Sequence, residues 1–279
     1  MTGRKLLGKF IRYLSEKAVH QVVRSSSDLD RMWKVSRRHF PSFNEHFSNP
    51  VDDREAEARI RFLVAAECAF MEKEVASVLA KREKCSVADI GDSDGSVRVV
   101  IEDLFGKTRV ETVGINLQPG LVERMNQKGL KAICADAIEV GNQGGRYNIV
   151  SLFETMEHLP DPIGFLQKIS SVVEDRLVVS VPYVRRSRVA LYYTGNGWPE
   201  GQPVTIETVH IFEFSPEHWR KIFIHSGWRV EREAIFKQFP ASGPLNWILT
   251  WYWRYTSFEG FYLVSLVKDT TQSSRYHIG

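Results

Sequence analysis

Apolar positions along this chain follow two patterns that take turns. Short continuous runs, Val87–Ile90, Arg109–Ile115, Leu130–Cys134, Tyr147–Phe153 and Arg176–Val181, each end near a glycine or a polar residue. Between them apolar residues recur every three or four positions, as in Pro119, Val122 and Met125, or Ile163, Leu166, Ile169 and Val173. Continuous runs predict strands buried on both faces, and the spaced pattern predicts helices that cover them. Strands alternating with helices at this pitch predict an α/β fold: a doubly wound, Rossmann-like parallel sheet with helices on both faces. Its ligand would sit at the C-terminal ends of the strands.

Upstream, Ile60, Leu63, Val64, Cys68, Met71, Val75, Val78 and Leu79 predict a long helix over the sheet. Residues 1–50 read as an N-terminal cap in two parts. In the first, Leu6, Leu7, Phe10, Ile11, Leu14, Ala18 and Val22 mark one helix face, while Arg4, Lys5, Lys9, Arg12, Lys17 and Arg24 stand against Glu16 alone. A basic amphipathic helix suits an anionic membrane surface, and equally suits packing on the domain with its cations solvated. In the second part, Ser25–Ser27, Pro41 and Pro50 predict a loop-rich connection over 25–50. Near the other end, Trp247, Trp251 and Tyr255, four apart, predict one buried helical face, against the alternatives of a membrane interface or a stacking wall.

Composition narrows the class. With 279 residues, 43% apolar and 25% charged, the chain is long enough for one large domain plus a cap. A net charge of +3 gives no reason to expect nucleic acid. Cys68, Cys85 and Cys134 are scattered, so neither a disulfide framework nor a metal site is expected, and a reducing, cytoplasmic location is.

The stretch most charged with chemistry is Asp89-Ile90-Gly91-Asp92-Ser93-Asp94-Gly95, a strand end, a glycine turn and a helix start. Such a turn lets a polar ligand approach the backbone. Further on come Glu154-Thr155-Met156-Glu157-His158-Leu159-Pro160-Asp161-Pro162 and His210-Ile211-Phe212-Glu213-Phe214-Ser215-Pro216-Glu217. With these three blocks in this order, residues 85–270 resemble the class I S-adenosylmethionine-dependent methyltransferases, in particular their small-molecule, ubiquinone-type O-methyltransferase branch. The resemblance implies a seven-stranded sheet whose last strand, near Phe261–Val267, runs antiparallel. It implies that Asp89, Gly91, Asp92, Ser93 and Gly95 meet the methionine part of the cofactor. Asn116 would face the ribose, Leu117 would flank the adenine, Asp136 with Ala137 would meet the adenine edge, and Phe153 with Glu154 would line the sulfonium side.

Two positions depart from that pattern. Ser93 stands where many members have glycine, and Asn116 stands where a carboxylate usually takes the ribose hydroxyls. A neutral acceptor in place of a charged one costs about 1 kcal/mol, or about fivefold in affinity.

Methyl transfer from a sulfonium is an in-line displacement, so positioning dominates, and a hydroxyl acceptor also needs a base. The candidates are His158, His210 and Glu154, with Glu157 beside them; the Glu-His pair could instead brace its loop. The resulting expectation is transfer to a small-molecule or glycan- or lipid-linked acceptor, most readily at oxygen, by a methyltransferase domain over 51–270. Insertions at 183–214 and 238–257 and a tail at 271–279 complete the chain. Arg185, Arg186 and Arg188, beside Tyr183, Tyr192 and Tyr193, would either grip an anionic acceptor or lie solvated. Peripheral membrane contact through 4–24 or 245–255 is the partner reading that goes with a lipid-linked acceptor. The competing reading is a degenerate scaffold subunit of the same fold with weak or no cofactor binding.

Overall fold

The computed structural model describes residues 3–43, 54–189, 210–240, 243, 246–256, 258–271 and 273–275. Three helices come first: α1 (Gly3–Ser25), α2 (Ser27–His39) and α3 (Arg54–Leu79). Strands β1 (Cys85–Ile90), β2 (Val110–Asn116), β3 (Ala132–Cys134), β4 (Tyr147–Phe153) and β5 (Val173–Tyr183) then alternate with α4 (Ser96–Phe105), α5 (Pro119–Gln127), α6 (Ala137–Asn142) and α7 (Pro162–Ile169). A two-stranded ribbon of β6 (Arg188–Val189) and β7 (Phe212–Glu213) precedes α8 (Pro216–His225), β8 (Trp228–Lys237), α9 (Asn246–Thr256) and β9 (Gly260–Lys268).

The main sheet has the order β3-β2-β1-β4-β5-β9-β8. The first five strands pair in parallel, and β9 lies antiparallel between β5 and β8. This is the seven-stranded arrangement that the resemblance implies. The strand period of two divides the core. Ile149 and Val178 face α2, α3 and α4, while Val150, Leu152, Leu177 and Val179 face α7 and α8. Order β3-β2-β1-β4 puts the chain reversal beside β1, so the ends of β1 and β4 open toward one crevice.

Three expectations are corrected. The stretch read as loop-rich begins with a helix, α2, because Ser26 caps it by accepting the Leu29 amide while Leu29, Met32, Trp33 and Val35 bury one face. In α9 the buried face is Leu249 with Trp253, and Trp247 and Trp251 are 71% and 63% exposed. An aromatic stripe defines a face without saying which way it turns; here Leu249 and Trp253 meet Ala18 and Leu14 of α1, together with Phe239, and Trp247 and Trp251 stay exposed. Finally, β5 is longer than its apolar run and takes in Val173, which the spaced pattern assigned to the preceding helix. On α1, Ala18, Val19 and Val23 pack inward, whereas Leu7, Phe10 and Tyr13 stay exposed.

Candidate active site

The turn after β1 is locked by three side chains. Gly91 (φ +82°) donates its amide to Ile115 O at 2.9 Å, and a Cβ there would lie 2.6 Å from Thr155 Oγ1. Asp92 Oδ1 accepts the amides of Asp94 and Gly95 (3.2 and 2.7 Å), and its Oδ2 lies 2.6 Å from Arg98 Nε. Arg98 is itself only 2% exposed and donates on to Lys131 O at 3.0 Å. Gly114 on β2 leaves room for this ion pair, since a Cβ there would sit 2.8 Å from both Arg98 Nη2 and Asp92 Oδ2. Asn116 Nδ2 donates to Asp92 O (2.9 Å) while its Oδ1 accepts the Gln118 amide (2.8 Å). The carboxylate usual at that position could not donate, so asparagine serves the turn itself. Ser93 is half-buried at the tip. Asp94 Oδ1 caps α4 through the Ser96 amide at 2.8 Å, and its Oδ2 is buried with no partner.

Acids crowd the ends of β1 and β4. Asp89 is 5% exposed and accepts one bond, from Ser151 Oγ at 2.8 Å. Its carboxyl is held well above the usual range by burial and by Asp92, with Arg98 and Ser151 opposing. Burial and Asp92 push the Asp94 carboxyl up to about 6. Glu154 follows β4 in the left-handed region (φ +46°), and burial pushes its carboxyl up to about 8. Ser180 Oγ accepts the Glu154 amide at 3.1 Å and has two acceptors for its one proton, Glu67 Oε1 at 2.7 Å and Glu154 Oε1 at 3.2 Å. Glu67, from α3, is raised well above its ordinary value by burial and by Glu154. Arg98 is the cation that opposes the rise at Asp89 and is committed to Asp92. An orphaned buried oxygen on Asp94 and desolvated carboxyls on Asp89 and Glu154 therefore fit a ligand that brings its own positive charges.

On the β2–β3 side, Leu117 is 68% exposed and offers an apolar ledge. Asp136 Oδ1 caps α6 at the Ile138 amide (2.7 Å), and Ala137 is buried behind it. Phe153 closes β4, half-buried, on the side of Glu154.

The remaining candidates meet just beyond β4. Met156–His158 forms one turn of 3-10 helix, and Ile211 N donates to Glu157 O at 2.7 Å, tying that turn to the β6–β7 ribbon. The rings of His158 and His210 touch edge to face with centroids 4.9 Å apart. His210 Nδ1 lies 3.0 Å from Glu213 Oε1, and Glu213 also holds Arg188. Burial alone would raise the Glu213 carboxyl, but His210 and Arg188 bring it below its ordinary value. Glu157 is fully buried, with neither carboxylate oxygen in a hydrogen bond and His158 Nε2 3.8 Å from Oε1.

Two arginines of the basic run are committed elsewhere, while Arg186 is exposed. Arg185 pairs with Glu259 at 3.1 Å and Arg188 with Glu213, so neither is a free grip for an anion nor simply solvated. Tyr192 and Tyr193 lie outside the described residues.

Arg98, Glu67, Ser151, Ser180 and Gly114 also build the site and are invisible as motifs. Glu67 alone carried a signal, as an acid on the apolar stripe beside Cys68 that predicts α3.

A parallel sheet with an antiparallel last strand, a glycine turn after β1 and an acid-lined crevice define a class I S-adenosylmethionine-dependent methyltransferase. Residues 60–233 match the family model described as a methyltransferase domain, and the chain belongs to that family. No curated protein matches the sequence. Among solved structures, it is similar to magnesium protoporphyrin IX methyltransferase from Synechocystis with bound S-adenosylmethionine, at 15% identity, covering 85% of this chain and 97% of that one, TM-score 0.50. It is also similar to the cyclase SpnF, at 14% identity over 74% of this chain and 82% of that one, TM-score 0.51. An O-methyltransferase from a trans-AT PKS multienzyme of Brevibacillus brevis is 14% identical over 73% of this chain and 75% of that one, TM-score 0.46. Likeness at this level concerns the fold. No helix among the described residues is long and apolar enough to cross a membrane.

Proposed function

We propose that this methyltransferase acts on an oxygen of a small-molecule or glycan- or lipid-linked acceptor. The observation that carries this reading is the contact of His158 with His210 beyond β4, next to Glu154. Asp89, Gly91, Asp92, Ser93 and Gly95 form the methionine end of the cofactor site, Asn116 and Leu117 the ribose and adenine flank, Asp136 with Ala137 the adenine edge, and Phe153 the sulfonium side. Bound S-adenosylmethionine supplies an electrophilic methyl group and a sulfur leaving group. The protein's own part is to orient the acceptor, exclude water and receive the hydroxyl's proton. His158, His210 and Glu154 are the groups placed to receive it, His210 being oriented through Nδ1 by Glu213.

The test is alanine substitution at each histidine, with turnover and cofactor affinity measured separately. General-base catalysis is worth about 10² to 10⁴, so turnover should fall by that order with affinity nearly unchanged. More than a third of wild-type turnover in both variants would remove the histidines from the reaction.

A lipid-linked acceptor is favoured by the neighbourhood of α1 and α9, which pack together through Leu14, Ala18, Leu249 and Trp253 and leave Leu7, Phe10, Tyr13, Trp247 and Trp251 exposed. Apolar and amphipathic side chains beside Lys9, Arg12 and Lys17 suit an anionic bilayer surface. Co-sedimentation with phosphatidylglycerol vesicles should be lost in a Trp247→Ser, Trp251→Ser double variant; wild-type protein left in the supernatant refutes the membrane reading.

A further inference from the structure

Sequence spacing gives no reason to expect a metal here, because the residues concerned come from two distant places in the chain. Glu157 and His158 lie on the single turn after β4, and His210 arrives more than fifty residues later, beside the ribbon. The fold draws one ligand atom of each to within 4.8 Å of the others. His158 Nε2 lies 3.8 Å from Glu157 Oε1.

Several features set this trio apart from a chance cluster. The Glu157 side chain has no solvent exposure, and neither carboxylate oxygen meets a donor. A buried carboxylate with no hydrogen bond is among the costlier arrangements a fold can keep, and a bound cation is one way to satisfy it. His210 presents the arrangement found around metal-bound imidazoles: Nδ1 is engaged by a carboxylate, Glu213 Oε1 at 3.0 Å, which leaves Nε2 as the free ligand atom. Glu213 is itself fixed by Arg188. His210 keeps 28% of its side chain exposed and His158 14%, so the trio opens to solvent on the histidine side.

We propose that Glu157, His158 and His210 form a binding site for a borderline divalent cation, with Glu213 as the outer carboxylate that orients His210. Two imidazoles and one carboxylate suit Zn²⁺, Mn²⁺, Fe²⁺ or Co²⁺ better than Mg²⁺ or Ca²⁺, which favour oxygen alone. Ligand distances of about 2.0–2.2 Å require the three atoms to close in by roughly 1 Å, within the reach of side-chain rotation. Three protein ligands leave at least one coordination position open. On the reading of this pocket as the acceptor side, on which only this last step rests, that position takes an acceptor oxygen. A hydroxyl held there loses its proton more easily; with the two histidines serving as ligands, Glu154 is the candidate left to receive that proton.

Turnover of alanine variants cannot separate a base from a ligand, so the decisive measurement uses the cation alone, without methyl donor. Full-length protein, stripped with chelator and desalted, is titrated with Mn²⁺ followed by electron paramagnetic resonance and with Co²⁺ followed by visible absorption. One equivalent should bind, with a cobalt spectrum showing nitrogen ligation. Glu157→Gln and His210→Ala should each weaken binding by at least tenfold, and Glu213→Gln by about 10- to 100-fold. His39→Ala, on the surface beside Asp103, should change nothing. If Glu157→Gln does not fold, as judged by circular dichroism, His210→Asn replaces it. No binding at millimolar cation, or binding indifferent to all three site variants, overturns the proposal. S-adenosylmethionine binding is measured on the same stripped protein: if it persists while the cation does not bind, only the metal site falls, and if it too is absent, the reading of the cofactor site fails separately.

Discussion

Removing the guanidinium of Arg98 tests how the cofactor turn is held. In Arg98→Met the hydrocarbon volume is largely kept, but Asp92, whose side chain is 4% exposed, loses its counter-ion. Stranding one member of a buried pair costs about 3–5 kcal/mol. Losing the bond to Lys131 O adds about 1 kcal/mol. Urea unfolding at pH 7 should therefore show a loss of about 4–6 kcal/mol. Asp92→Asn combined with Arg98→Met should recover much of the pH 7 loss, since two neutral groups leave no stranded charge. Cofactor affinity, read by calorimetric titration, should fall in the single variant, because the carboxylate that gathers the Asp94 and Gly95 amides is no longer anchored. A loss below about 1 kcal/mol at pH 7, or a double variant no more stable than the single one, refutes the account.

Gly91→Val forces a side chain onto a φ of +82° and toward Thr155, so S-adenosylmethionine binding should be lost while the fold survives; affinity within threefold of wild type contradicts this. Asn116→Asp removes the donor to Asp92 O and sets a carboxylate against it, so stability should drop by about 1 kcal/mol with no gain in cofactor affinity, whereas a fivefold gain at unchanged stability would show that the side chain serves the ribose and not the turn. Asp94, raised to about 6, keeps its proton in the fold while the unfolded chain releases it from its ordinary 3.8 upward. Its contribution is thus complete below 3.8 and lost as pH rises through about 6, a span worth about 3 kcal/mol. Asp94→Asn keeps the α4 cap without the charge, and should be about 1–3 kcal/mol more stable than wild type at pH 8 and equal to it at pH 4; equal stability at both pH values counts against this.

The strands were legible because buried parallel strands leave unbroken apolar runs, and the resemblance implied seven of them with the last antiparallel; their order comes from the structure. Helix α2 was hidden because serines promote both loops and caps, and only the Leu29–Val35 face decides between them. The orientation of α9 was hidden because Trp247 and Trp251 mark a face equally well whether it is buried or bare. A lone arginine such as Arg98 normally points to water, and nothing near it in sequence announces that Gly114 has vacated the space it fills. The residues around His158 and His210 were legible singly. Their meeting was not, since it depends on the Ile211 amide docking onto Glu157 across the fold.

The place of β9 bears on how the chain is made. Its two neighbours are both earlier in sequence: β5 ends at Tyr183, and β8, whose one partner among the described residues is β9, ends at Lys237. At about 5–20 residues per second, the 85 residues between Tyr183 and the end of β9 at Lys268 take roughly 4–17 seconds to synthesise. For that interval the apolar outer edge of β5 is an open template for any passing strand. In the finished sheet β9 covers that edge and is the strand on which β8 pairs. A chain interrupted before β9 therefore lacks two strands of its sheet, and exposes the edge next to which Ser180 and Glu154 are held.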